Sequence, residues 1–147
     1  MPVDPAIIGA ASFLTVKFAG YTYAGHRLNI AYGPSYSSNA FGFGLARALL
    51  GLAAGIAFFW AFDQHFLPFP LPQGTAPRLM VFVLLNFLMR MAEWAVLIWF
   101  FYERKLGNPD RRRLLRYSAL GTIWSFALDV PAWVSTIYMA PGMWVIC

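Results

Sequence analysis

Asn86, Arg90 and Glu93 follow one another at spacings of four and three inside NFLMRMAEWAVLIWFF, a stretch otherwise built of lipid-soluble side chains. Residues so spaced share one face of a helix, so an amide, a guanidinium and a carboxylate are expected in a row. A second row lies further along the chain, where Ser118, Thr122, Ser125 and Asp129 repeat with helical periodicity and Thr136 continues the face. Lys17 and Arg47 contribute further cations. Lys17 aligns with Gly9, Phe13 and Gly20, and Arg47 projects beside a small-residue seam of Gly44, Ala48, Gly51 and Gly55. Seams of this kind let helix backbones approach closely.

The chemistry open to these groups is electrostatic. Arg90 and Glu93 are one turn apart and either neutralise each other, with Asn86 satisfying the remainder, or hold an ion or ligand. Asp129 has no opposite charge within a turn of its own helix, so its partner is expected from another helix: Lys17, Arg47 or Arg90. Pro131 removes the donor that the Ala127 carbonyl would use, so a kink is expected just beyond Asp129. A carboxylate there suits a cation or proton site, and equally an ordinary salt bridge. Lys17 and Arg47 sit about 10 Å from the inner end of their segments at ~1.5 Å per residue. Their long stems allow them to snorkel to cytoplasmic headgroups. Three cations (Lys17, Arg47, Arg90) against two anions (Glu93, Asp129) leave one positive charge in excess. That charge suits an anionic headgroup or a small anion.

Two weaker features accompany these. His26 and Arg27 follow GYTYAG and lie near Ser35, Ser37, Ser38 and Asn39, where they are candidates for contact with a lipid headgroup; the plainer reading is a polar interface. Asp63 and His65 form a DxH with no third ligand nearby, so no metal site is expected. No GxSxG, HExxH, P-loop or dinucleotide fingerprint occurs, and no cofactor is expected. The single cysteine, Cys147, excludes an intramolecular disulfide and is assigned no role.

The elements that must position these groups follow from composition. Hydrophobic residues make up 60% of the 147 and charged residues 12%, far from the roughly 45–50% and 25% of soluble domains. A water-soluble fold of this size cannot hide so much apolar surface. The expected fold is all-α: a single polytopic membrane domain, residues 1–147, built as a four-helix transmembrane bundle. Windows of about 20 mostly apolar residues place the spans at residues 5–24, 40–62, 79–102 and 117–139. The connections carry Gly25, Gly33 and Pro34, then Pro68, Pro70, Pro72, Gly74 and Pro77, then Gly107, Asn108 and Pro109. Met1 to Pro5 contains Asp4 and no lysine or arginine, so the first hydrophobic segment is expected to be retained, not cleaved as a signal peptide.

Orientation follows from the basic residues. Arg104, Lys105, Arg111, Arg112, Arg113 and Arg116 cluster between the last two spans, which makes that loop cytoplasmic by the positive-inside rule. Loops 25–39 and 103–116 are then cytoplasmic, and loop 63–78 and both termini lie outside, in a cell (inner, cytoplasmic) membrane. Tyr21, Tyr23, Trp99, Tyr102 and Tyr117 are expected to ring the inner interface, and Trp60, Trp133, Tyr138 and Trp144 the outer one. The net charge of +5 resides mainly in a membrane loop, so nucleic acid is not an expected partner. Anionic lipid headgroups at the cytoplasmic face are, with self-association or a membrane-protein partner left open.

The leading functional expectation is transport or binding of a small anion, metabolite or anionic lipid. Arg90, Glu93, Asp129, Arg47, Lys17 and Asn86 form its binding or coupling site. The alternative is a non-catalytic subunit or assembly factor of a membrane complex. A headgroup-modifying membrane enzyme using His26 comes third, because one histidine without a nucleophile, metal set or carboxylate pair is thin chemistry. The balance therefore leans away from an enzyme.

Overall fold

The computed structural model describes residues 5–34, 38–63, 74–106 and 110–139. They form four α-helices: α1 (Pro5–Tyr32), α2 (Ala40–Asp63), α3 (Thr75–Phe101) and α4 (Arg111–Met139). A 3-10 turn, Glu103–Lys105, joins the last two, and there is no strand among the described residues. The protein is all-α, as composition demands. Several expectations lie outside the described residues: those on Asp4, Ser35, Ser37, His65, Pro68, Pro70, Pro72, Gly107, Asn108, Pro109, Trp144 and Cys147, and on the side chains of Asp63, Trp133, Thr136 and Tyr138.

The helices outrun the hydropathy windows. α1 continues past Ala24 to Tyr32, and α4 begins at Arg111 instead of Tyr117. His26 and Arg27 are therefore helical residues, not loop residues. Hydropathy marks where lipid would begin and end, whereas these helix ends are held by packing. Tyr32, beyond its window, joins Tyr102 and Tyr117 at the ends of theirs in an aromatic layer, with Tyr32 stacked on Tyr102 at 4.8 Å between centroids and tilted against Tyr117 at 5.7 Å. α1 stops where Gly33 turns the chain at φ 87°, a left-handed value that glycine adopts without strain. Asn39 Oδ1 then accepts the amides of Phe41 and Gly42 and caps α2. Asp110 Oδ1 accepts the amides of Arg112 and Arg113 and caps α4. Its carboxylate also offsets a basic run placed at the positive end of the helix dipole.

Cross-helix contacts fix an up-down-up-down bundle in which each helix packs on two neighbours. Gly44 lies against Thr22 and Gly25 against Ala40, so α1 and α2 run antiparallel. Phe58 meets Phe82 while Phe43 meets Phe101, which reverses α3 on α2. Phe87 stacks on Phe126 while Trp94 covers Gly121, reversing α4 on α3. Gly20 meets Leu128 and Tyr32 meets Tyr117, closing α4 onto α1. α4 continues through Pro131 to Met139.

The distribution of polarity is inverted relative to a water-soluble bundle. Lys17, Arg47, Arg90, Glu93, Asp129, Ser118, Thr122 and Ser125 are buried, while Leu14, Leu49, Ile56, Leu84, Leu88, Val96, Leu120 and Ile123 are exposed. The stripes read from helical spacing on α3 and α4 are the faces turned inward. Two helices contain segments long and apolar enough to cross a membrane, Ala40–Phe58 in α2 and Ala76–Lys105 in α3. Of those segments, 17% and 28% is buried. The inward polar groups of α1 and α4, together with the basic start of α4, lower the mean hydropathy of those two helices.

Candidate functional site

Two stacked layers of charge cross the bundle. In the first, Asp129 of α4 lies between Lys17 of α1 and Arg90 of α3. Lys17 Nζ stands 2.5 Å from Asp129 Oδ1, and Arg90 Nη1 donates to Asp129 Oδ2 at 2.6 Å. Arg90 Nε donates to Asn86 Oδ1 at 3.0 Å, one turn earlier on its own helix. The Arg90 guanidinium lies 4.6 Å from the Phe126 ring centroid and Lys17 Nζ 4.6 Å from that of Phe13. Contacts of this kind help to replace water around a desolvated cation.

One turn along α3, Glu93 Oε2 meets Arg47 Nη1 of α2 at 2.8 Å. The Arg47 guanidinium lies 5.0 Å from the ring centroid of Tyr21 and 5.5 Å from that of Trp94, and its Nη2 donates to Ser125 Oγ at 3.4 Å. Trp94 Nε1 donates to the same hydroxyl at 2.9 Å. The glycine seam of α2 serves this layer. A Cβ on Gly51 would lie 2.6 Å from Arg47 Nη1, so that glycine leaves room for the guanidinium. Gly121 does the same for Trp94, whose ring occupies the place a side chain would take.

The charges expected from sequence therefore come together, in pairings that differ from the simplest reading. Arg90 and Glu93 each form an ion pair with a partner on another helix, Asp129 and Arg47. Lys17 and Arg47 do not reach for headgroups either. They are only 4% and 2% exposed, because Asp129 and Glu93 stand level with them inside the bundle. Tyr21 and Tyr102, expected at the inner interface, are also interior. His26 and Arg27 remain apart, exposed on α1, with Arg27 Nη1 donating to the Tyr23 hydroxyl at 3.5 Å.

A further polar layer, at the end of the bundle where α1 meets α2 and the basic connection joins α3 to α4, escapes sequence reasoning. Glu103 is fully buried. Its Oε1 accepts the Tyr32 hydroxyl at 2.5 Å and its Oε2 accepts the Asp110 amide at 3.1 Å. Burial first, then the hydrogen bond to Glu103 and its charge, push ionisation of the Tyr32 hydroxyl well above the ordinary tyrosine range. The neighbouring Tyr102 hydroxyl donates to Asn29 Oδ1 at 2.9 Å and lies 3.1 Å from the Gly25 carbonyl. Glu103 hides in FYERK, where it reads as one more solvated charge. Only its position as an acidic residue within a basic stretch hints that something holds it.

Within the two stacked layers, Lys17, Arg47 and Arg90 stand against Glu93 and Asp129, one positive charge in excess among buried residues; Glu103, the third buried carboxylate, belongs to the separate layer at the end of the bundle. No group of three or more histidine, cysteine, aspartate or glutamate side chains suited to a metal gathers among the described residues. No protein-family model, curated protein or solved structure matches the chain.

Proposed function

We propose that this chain is a four-span membrane protein that binds a small monovalent anion at its buried charged centre and passes it across the bilayer. The carrying observation is the excess positive charge held by Lys17, Arg47 and Arg90 over Glu93 and Asp129 within the two stacked layers, apart from Glu103 at the end of the bundle. A charge at bilayer depth costs roughly 2.5–3.5 kcal/mol or more. A net positive centre draws an anion inward, and that attraction is what the reading rests on. The inverted polarity supports the membrane setting for all four helices: α1 and α4 turn their charges inward and present Leu14, Val16, Leu120, Ile123 and Val130 outward.

In this reading the connections 25–39 and 103–116 face the cytoplasm, where exposed Arg104, Lys105, Arg111, Arg112, Arg113 and Arg116 attract anionic lipid at ~1 kcal/mol each. Both termini lie outside. Cys147, the only cysteine, then reacts with a membrane-impermeant maleimide on intact cells; labelling that requires lysis reverses the orientation.

Lys17→Met tests the site. It removes the excess charge yet leaves Arg90–Asp129 and Arg47–Glu93 intact. In proteoliposomes the wild type is expected to take up radioactive chloride against a gluconate control, and Lys17→Met to lose that uptake while remaining folded. Equal uptake by both proteins contradicts the proposal.

One observation favours a second reading, a non-catalytic subunit of a membrane complex. Both Asp129 oxygens are already engaged by cations, as in a purely structural clamp. Native mass spectrometry separates the readings: a stable protein partner in gentle detergent favours the subunit, and a lone chain favours the anion site.

A further inference from the structure

The two buried carboxylates are not equivalent. Asp129 meets a cation at each oxygen, Lys17 at Oδ1 and Arg90 at Oδ2. Glu93 is ion-paired through Oε2 alone, while its Oε1 is buried with no hydrogen-bond donor among the described residues. On the other side of the same pair, Arg47 Nε is buried with no acceptor among the described residues. A pair with an unused acceptor on the carboxylate and an unused donor on the guanidinium is incompletely satisfied at the centre of the bundle, where such groups are expensive.

The surroundings of Glu93 are otherwise complete. α1 brings Lys17 near it, with Tyr21 on the Arg47 face; α2 brings Arg47; its own helix brings Arg90. α4 brings Ser125, bonded to Arg47 and Trp94, and Asp129, held beyond it by Lys17 and Arg90. Every ionised group acting on Glu93 from these helices except Asp129 is a cation, and Asp129 is already committed to two of them. Glu93 Oε1 is therefore the carboxylate oxygen of the two layers with no cation paired to it among the described residues, and the one a proton reaching the centre would occupy.

We propose that Glu93 is a proton site linked to the anion, so that one proton and one anion bind together. The inference rests on the anion-binding reading above. A proton from water adds to Oε1, and the neutral carboxylic acid releases its hold on Arg47. The guanidinium, still boxed by Tyr21 and Trp94, then accepts the anion through the donors that Glu93 had occupied or left unused. With Glu93 ionised, an entering anion must compete with a tethered carboxylate for the same guanidinium. With Glu93 protonated, the centre carries +2 before the anion enters and +1 afterwards, the charge it began with. No bond to carbon is made or broken; the proton and the anion enter and leave as a neutral pair, which is the form a low-dielectric interior admits at least cost.

The experiment measures chloride binding and proton uptake on the purified full chain in weakly buffered, chloride-free detergent solution with a pH-indicator dye. Addition of chloride is expected to draw about one proton per anion bound. The apparent chloride affinity should rise by about tenfold for each unit the pH falls through the linked range, as reciprocal linkage requires. Glu93→Gln, which carries no charge at any pH, is expected to bind chloride with a pH-independent affinity and no proton uptake. His26→Ala controls for the exposed imidazole of α1 and should retain wild-type proton uptake. Chloride binding by the wild type without proton uptake overturns the linkage and leaves the anion site standing. Glu93→Gln that keeps the wild-type pH dependence likewise overturns it, since the proton must then sit elsewhere. Absence of any chloride binding removes both the linkage and the reading beneath it. If Glu93→Gln does not fold, chloride binding by the wild type without proton uptake still overturns the linkage.

Discussion

Asp129→Asn keeps the side chain's size and removes its charge. Two cations then lose their counter-ion, Lys17 at 2.5 Å and Arg90 at 2.6 Å, in a site where all three side chains are buried. Removing one member of a buried ion pair costs roughly 3–5 kcal/mol, mostly because the other charge is left stranded. Here the charge on the centre also rises from +1 to +2. Lys17→Met moves the sum the other way, to zero, and leaves Arg90 and Asp129 paired. Its penalty is a lost charged hydrogen bond of about 1.5–3 kcal/mol, offset by relief of the excess charge. Asp129→Asn should therefore destabilise the protein by about 2 kcal/mol more than Lys17→Met. Both are measured by helical circular dichroism during reversible unfolding in dodecyl maltoside micelles titrated with dodecyl sulfate, in chloride-free buffer. If Lys17→Met costs as much as Asp129→Asn, the charge arithmetic of the centre is wrong.

Gly121→Ala places a methyl group where the Trp94 ring lies; overpacking of this kind should cost about 1–3 kcal/mol in the same titration, and a neutral result would mean that Trp94 is not wedged there. Tyr32→Phe removes the only side-chain donor found on Glu103 among the described residues and should cost about 1–3 kcal/mol near pH 8. Because the Tyr32 hydroxyl ionises above its ordinary range, its contribution is complete below the unfolded value of about 10 and is lost as pH rises further. The gap between wild type and Tyr32→Phe should therefore narrow above pH ~10; a gap that stays constant or widens contradicts the hydrogen bond.

The inward faces of α3 and α4 were legible in the sequence because helical spacing puts Asn86, Arg90 and Glu93, and likewise Ser118, Thr122, Ser125 and Asp129, on one side whatever the tertiary context. Their pairings were not. Spacing alone makes Arg90 and Glu93 neighbours, but a partner level with them on another helix wins, because it neutralises a second buried charge as well. That level depends on how far each helix runs into its connection, and hydropathy says nothing of this. α1 continues to Tyr32 and α4 starts at Arg111 because aromatic packing, not lipid, holds those ends. The same register brings Lys17 to Asp129 and Arg47 to Glu93, so side chains long enough to snorkel point inward. Glu103 was hidden for a related reason: its acceptors are filled by Tyr32 of α1 and by the amide of Asp110, partners that only the folded connection supplies.

A double-mutant cycle on Arg47 and Glu93, with methionine at each position singly and together, tests most directly whether the buried charges neutralise one another between helices. Each single variant strands a charge and should cost roughly 3–5 kcal/mol, while the double variant should cost far less than the sum, with a favourable coupling of at least ~2 kcal/mol. Single-variant penalties that simply add, to within about 0.5 kcal/mol, would show that Arg47 and Glu93 do not depend on each other and would contradict the account.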